Sequence, residues 1–198
     1  MPTLTTSLLD IDVQFYFLFI SSALVPNLIK GNLFTTIPKW PKQWRVTLDI
    51  KPLGKINRFV NILQFTTGIC CCEYGTRSPG IWFNQNSLNL FVVNSVNNDG
   101  NFHFILKNPL PINVFTKVTV EQIKINGEYR FRVGINGAIV ESIVNNVPAE
   151  FSNVKVYSST KYYEPANAIV KNIQINPIFE SVVENTGTFI FSYASQKQ

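Results

Sequence analysis

His103 is the only histidine in this 198-residue chain, so a serine or cysteine nucleophile has a single candidate base. It stands between Phe102 and Phe104, and strand alternation puts it on the face opposite theirs, outward or into a groove. That placement suits a ligand contact better than a catalytic base. Cys70, Cys71 and Cys72 are consecutive and are the only cysteines. They close no long loop, and a vicinal bridge, an intermolecular bridge or plain thiols all remain open. A zinc site needs ligands spaced to converge on the metal, which this set does not supply. Oxygen ligands gather only at Asn97, Asp99 and Asn101, with Glu73 available if its loop shares the rim. This turn is either a calcium site or an ordinary Asx-rich turn. No other cofactor is implied.

A different chemistry is written in the aromatic and amide residues. Holding a sugar takes an aromatic face against the apolar side of the ring, with amides or carboxylates bonding the hydroxyls. Trp82, Asn84 and Asn86 offer this on one segment, and Tyr157, Tyr162 and Tyr163 on another. The competing reading of Trp82, which lies between Ile81 and Phe83, is core packing. Trp40 and Trp44 read as core or edge packing.

These residues must be positioned by strands. Asn126-Gly127 and Asn136-Gly137 suit the positive φ angles of tight hairpin turns, and each lies between β-branched and aromatic runs. The stretch from Phe115 to Tyr157 is therefore an antiparallel meander. Val118, Val120, Ile123 and Ile125 are expected on the apolar face leading in, and Tyr129, Phe131, Val133 and Ile135 leading out. Arg130 and Arg132 take the wet face.

Upstream, Leu28 to Thr36 reads as an edge strand stopped by Pro38 and Pro41. Trp44, Val46, Leu48 and Ile50 alternate with polar residues as a half-buried strand. Phe59 to Thr66, Ile81 to Phe83, Leu88 to Val93, Phe102 to Leu106, Val154 to Tyr157 and Ile169 to Ile175 supply further strands. Asn97-Asn98-Asp99-Gly100 is a turn between two of them, with Asp99-Gly100 its strongest signal. No helical period appears, so the fold class is all-β: two antiparallel sheets in a sandwich or jelly roll.

Composition agrees, being 45% hydrophobic, 13% aromatic and only 15% charged, which excludes disorder. The net charge of +5 is scattered from Lys30 to Lys197 without the stripe that a nucleic-acid partner would need. Residues 1–25 hold an apolar run from Val13 to Val25, short of the about 20 residues of a membrane span. The run reads as a secretory signal cleaved after Ala23, an uncleaved anchor, or a first strand, with Asp10 and Asp12 where a signal is normally basic. Residues 28–176 form the sandwich, and 177–198 are an extension that is partly strand-like.

Trp44-x-Val46-x-Leu48-Asp49-Ile50-Lys51-Pro52, Asn61-Ile62-Leu63-Gln64-Phe65-Thr66 and Pro79-Gly80-Ile81-Trp82-Phe83 occur in that order. They are followed by the segments Tyr129 to Gly137 and Phe151 to Tyr157. This succession resembles the concanavalin A-like lectin and glucanase superfamily, especially its laminin G-like modules, over Leu28 to Ile175. The resemblance implies a curved jelly roll in a secreted or cell-surface protein that binds glycans or other proteins, often with calcium at a rim. Glycosidase relatives carry an E-x-D-x-x-E arrangement, because retaining hydrolysis needs two carboxylates about 5 Å apart. Asp10, Asp12, Asp49 and Asp99 are the only aspartates, and none belongs to such a motif. The expectation is a non-catalytic extracellular binding module. A glycoside hydrolase or lyase with an unfamiliar site, or a structural, adhesive domain, are the alternatives.

Overall fold

A computed structural model describes residues 18–19, 28–68 and 72–179. Thirteen strands are present among them and no helix, and so none long and apolar enough to cross a membrane. The strands are β1 (Leu18–Phe19), β2 (Leu33–Trp40), β3 (Gln43–Pro52), β4 (Val60–Thr66), β5 (Gly80–Phe83), β6 (Leu90–Val96) and β7 (Asp99–Ile105). They continue with β8 (Thr116–Ile125), β9 (Glu128–Ile135), β10 (Ala138–Val144), β11 (Phe151–Tyr157), β12 (Glu164–Pro165) and β13 (Ala168–Ile178). The first sheet runs β1-β13-β3-β8-β9-β10 and the second β2-β11-β4-β5-β6-β7, with β12 lying parallel beside β4. All other pairings are antiparallel. The fold is the expected all-β sandwich of two antiparallel sheets.

The two asparagine-glycine turns behave as their chemistry dictates. Asn126 and Gly127 have φ of 50° and 87°, and Asn136 and Gly137 have 50° and 88°. Both central residues are left-handed, as a two-residue hairpin turn of matching twist requires. The ladder between β8 and β9 then runs without a slip from Ile125↔Glu128 to Val118↔Ile135. Continuous alternation places Val118, Val120, Phe131 and Val133 in the core, each fully buried. It also corrects one expectation. Ile123 and Ile125 differ from Val118 and Val120 in parity, so they lie on the outer face with Glu121. Gln122 turns inward instead, where its Nε2 donates to Lys42 O and its Oε1 accepts from Asn145 Nδ2.

Beside these isoleucines the outer face of the first sheet carries charge. Glu121, buried, takes Arg45 Nε at 2.6 Å, while Arg132 Nε approaches at 2.9 Å off the line of a hydrogen bond. The wet face expected of Arg132 is therefore present, with a carboxylate between two guanidinium groups.

The turn expected over Asn97-Asn98-Asp99-Gly100 is present, centred on its first two residues and not on Asp99-Gly100. Asn97 and Asn98 carry the positive φ values, 52° and 66°, and Val96 pairs with Asp99. Gly100 serves another purpose. A Cβ there would sit 2.5 Å from Cys72 O and 2.6 Å from Glu73 C, so only glycine lets the backbone of Cys72 and Glu73 lie against β7. Pro38 falls inside β2 instead of ending it, because β2 is the sheet edge and no ladder bond is lost there. The backbone of Leu18–Phe19 pairs with β13. The rest of the signal, anchor or strand reading of 1–25 lies outside the described residues, as do Cys70, Cys71 and residues 180–198.

The core joins both sheets. Trp40 and Trp44 stack with ring centroids 5.4 Å apart, and Phe65 tilts against Trp40 at 4.8 Å. Phe102 of the second sheet meets Phe131 of the first edge to face at 6.0 Å. Each fully buried aliphatic or phenyl side chain contributes roughly 1.5–3 kcal/mol.

Candidate ligand-binding cleft

The outer face of the second sheet differs in kind from that of the first. On β5, Ile81 and Phe83 enter the core, so Gly80 and Trp82 face outward. On β6, Leu90 and Val92 point in and Phe91 and Val93 point out. His103 on β7 stands opposite Val93, while Phe102 and Phe104 pack on the core, as alternation required. The indole of Trp82 lies over Gly80, whose absent side chain makes the space, since a Cβ would fall 2.1 Å from Cη2.

Around this indole the aromatic rings form a row. His103 stacks on Phe91 with centroids 5.1 Å apart and planes 19° apart. Phe91 meets Phe59 edge on at 5.4 Å and Trp82 at 6.3 Å, and Trp82 meets Tyr163 at 5.9 Å. Phe59, Arg77, Trp82, Phe91 and Tyr163 line a cleft of about 170 Å³. This is below the roughly 300–1,000 Å³ of drug-sized sites.

Arg77 is delivered by the loop between β4 and β5. Gly75 N–H donates to Ser95 Oγ and Ser78 Oγ to the same atom, each at 2.8 Å, and Gln64 Nε2 donates to Thr76 O at 2.9 Å. Tyr74 packs on Phe151 and donates to Val147 O. The Arg77 guanidinium, thus placed, sits 5.3 Å from the Trp82 ring and 5.8 Å from that of Tyr163. Its Nη1 donates to Asn101 Oδ1 at 2.7 Å and its Nη2 to Tyr163 OH at 2.5 Å. The residue is only 8% exposed, and no carboxylate lies within ion-pair reach of it among the described residues. Arg77 Nε and Trp82 Nε1 are buried donors with no acceptor.

The loop that carries Tyr163 is held at Thr160 by Asn61, fully buried on β4. Its Oδ1 accepts from Thr160 N–H at 2.9 Å and its Nδ2 donates to Ile81 O at 3.2 Å. This fixes the loop between β11 and β12 across the sheet.

Of the residues chosen from sequence, the structure brings together Trp82, His103 and Tyr163, with Asn101 joined to them through Arg77. Trp82 is buried, as the competing reading had it, but on the outer face and not in the core. Asn84 and Asn86 sit in the β5–β6 turn, where Asn84 Oδ1 accepts from Gln85 N–H, and neither lines the cleft. Tyr157 and Tyr162 line a second hollow of about 130 Å³ with Gln64, Thr66, Thr160, Lys155 and Lys161.

Asn97, Asp99 and Asn101, the calcium candidates, each have a side-chain oxygen already engaged. Asn97 Oδ1 accepts from Asn146 N–H, Asp99 Oδ1 from Asn101 N–H and Asn101 Oδ1 from Arg77. Melts in calcium and in chelator should therefore coincide, since a cation site confined to the folded state would separate their midpoints.

Sequence reading passed over Phe59, Phe91 and Arg77. Phe91 had a visible signal. Leu90 to Val93 is apolar on both strand faces, which in an antiparallel sheet means that something covers the outer one.

Two outcomes follow from how the site is built. Gly80→Ala must push the indole out of its seat, and it is expected to cost about 1–3 kcal/mol and to distort the cleft, checked by melting and by tryptophan emission. Burial holds the Tyr74 phenol above its usual 10.0. A raised folded-state value means that the stabilisation is complete below the unfolded phenol range and fades as pH climbs through the folded value. Tyr74→Phe should thus flatten the alkaline limb of a stability–pH curve while losing about 0.5–1.5 kcal/mol near neutrality.

The fold and this face together define an antiparallel β-sandwich with an open aromatic cleft on one sheet. No family model matches the sequence, and no curated relative does. Among solved structures, the chain is similar to a heptameric SAP-like pentraxin from Limulus polyphemus, at 15% identity and a TM-score of 0.49 over 72% of this chain and 67% of that one. It is also similar to an endo-β-1,4-glucuronan lyase from Trichoderma reesei, at 11% identity and 0.48 over 77% and 79%. A galectin from Caenorhabditis elegans gives 12% and 0.45 over 72% and 89%.

Proposed function

We propose that this chain is a non-catalytic glycan-binding module, secreted or held at the cell surface, whose ligand enters the cleft over Trp82. The observation that carries this is the row of rings around a buried, uncompensated guanidinium. Phe59, 39% exposed, and half-buried Phe91 offer faces to the apolar side of a pyranose. Arg77 and the Tyr163 hydroxyl face its polar edge.

The cleft is lined by no carboxylate, so it lacks the pair that glycoside hydrolysis uses. Calcium has no part in this reading. A second reading, elimination from a polysaccharide, is favoured by one contact, the Tyr163 hydroxyl on the Arg77 guanidinium. Appearance of unsaturated sugar ends on incubation with polysaccharide would replace binding with turnover.

The test is a glycan array followed by titration of tryptophan emission. Trp40 and Trp44 lie in the core between the sheets and Trp82 lines the cleft, so a ligand-dependent change that Trp82→Phe removes reports the cleft. Saturable glycan binding with such a change is expected, and binding that leaves the emission untouched would move the site elsewhere.

A further inference from the structure

The second hollow adjoins the first on the same face. Consecutive residues divide them, Tyr163 lining one and Tyr162 the other. Gln64 in the second hollow is paired across β4 and β5 with Gly80, on which the Trp82 indole rests. Lys155 stands on β11 opposite Thr66, and Lys161 lies 5.1 Å over the Tyr162 ring. The linings of both hollows hold three cations, Arg77, Lys155 and Lys161, and no acid.

Two sets of unmet bonds mark this surface. Arg77 has five N–H donors, of which two are assigned and Nε has no acceptor. In the second hollow, Gln64 Oε1 and Thr160 Oγ1 are buried without partners. A guanidinium withdrawn from water with no counter-charge is costly. An oxyanion in the cleft would offset that cost, and hydroxyl groups would satisfy the amide and the threonine.

We propose that the ligand is a linear polysaccharide bearing carboxylates, and that it crosses from the first hollow into the second. Arg77 takes the carboxylate of one sugar, and Lys155 with Lys161 that of another further along. From β5 to β11 is two strand spacings, roughly 10 Å, so a single sugar cannot reach both. A phosphate chain fits less well, because nucleic-acid surfaces carry longer cationic stripes. This proposal rests on the cleft reading above.

The experiment uses the full chain and hexamers of galacturonate, mannuronate and glucuronate. Each is compared with its carboxyl-reduced counterpart and its dimer, beside oligothymidylate and dextran sulfate. A carboxylated hexamer is expected to bind at least about tenfold tighter than its reduced form, the 1.4 kcal/mol equivalent, with the gap narrowing as salt is raised. Arg77→Gln should weaken dimer and hexamer alike. The exposed pair Lys155→Gln and Lys161→Gln should weaken the hexamer about threefold or more, within the range of exposed charge contacts, and leave the dimer unchanged.

Equal affinity for carboxylated and reduced hexamers overturns the carboxylate and leaves the cleft reading standing. A hexamer no tighter than the dimer, with the lysine variants silent, overturns the second hollow. Tighter binding of oligothymidylate or dextran sulfate than of any uronate overturns the choice of polymer. No binding of any saccharide, reduced or carboxylated, takes the cleft reading down with the proposal.

Discussion

Phe131→Ala lowers the unfolding free energy by about 3–5 kcal/mol, whereas Ile123→Ala costs about 1 kcal/mol or less. Both residues are apolar, lie eight positions apart on adjoining strands and read from sequence as members of one face. The ladder separates them. Phe131 is fully buried and meets Phe102 across the space between the sheets, so removing its ring opens a cavity that two sheets must share and neither can collapse into. Ile123 stands on the outer face, where truncation exposes little that was dry. For a chain of this size each kcal/mol moves the melting midpoint about 2–4 °C, so the first variant should melt roughly 6–20 °C lower. Denaturant and thermal melts of the two variants decide it. Equal losses would mean that the register slips between Glu121 and Ile125 and that the layers are not the two described.

The same comparison shows what a sequence can carry. The turns at Asn126-Gly127 and Asn136-Gly137 were legible because positive φ at two consecutive positions leaves few residue choices, and the fold class followed from them. The outward aim of His103 was legible from Phe102 and Phe104. Parity over a long strand was not. An isoleucine at the wrong parity looks like any other apolar residue until a partner strand fixes the register, and Gln122 could be recognised as inward only from its bonds to Lys42 and Asn145. The candidate site was half legible. Trp82, His103 and Tyr163 could be picked by type, but their convergence depends on pairing β5 with β4 and β6 and on Asn61 pinning a loop 99 residues away. Arg77 was hidden for a further reason. A basic residue in a loop reads as solvated, and nothing local tells of a Gly100 that lets that loop lie flat on β7.

Replacing Phe59 and Phe91 together by alanine should weaken glycan binding at least about 30-fold, the 2 kcal/mol threshold of a hot spot. Their burial sets this apart from the core variant. Phe59 is 39% exposed and Phe91 half-buried, and both lie on the outer face, so the sandwich should keep its fold and melt above Phe131→Ala. What is lost is the wall that presents an apolar surface to a sugar ring and keeps water from the Arg77 guanidinium. The effect should exceed that of Arg77→Gln on a neutral sugar, since a neutral ring gains mainly from the aromatic face. For a carboxylated sugar the two variants should converge, because the charge-assisted bond to Arg77 contributes about 1.5–3 kcal/mol. Calorimetric titration of the double variant, with its melt as the control, checks this. Unchanged affinity in a folded double variant would mean that ligands meet this protein on some surface other than the row from His103 to Tyr163.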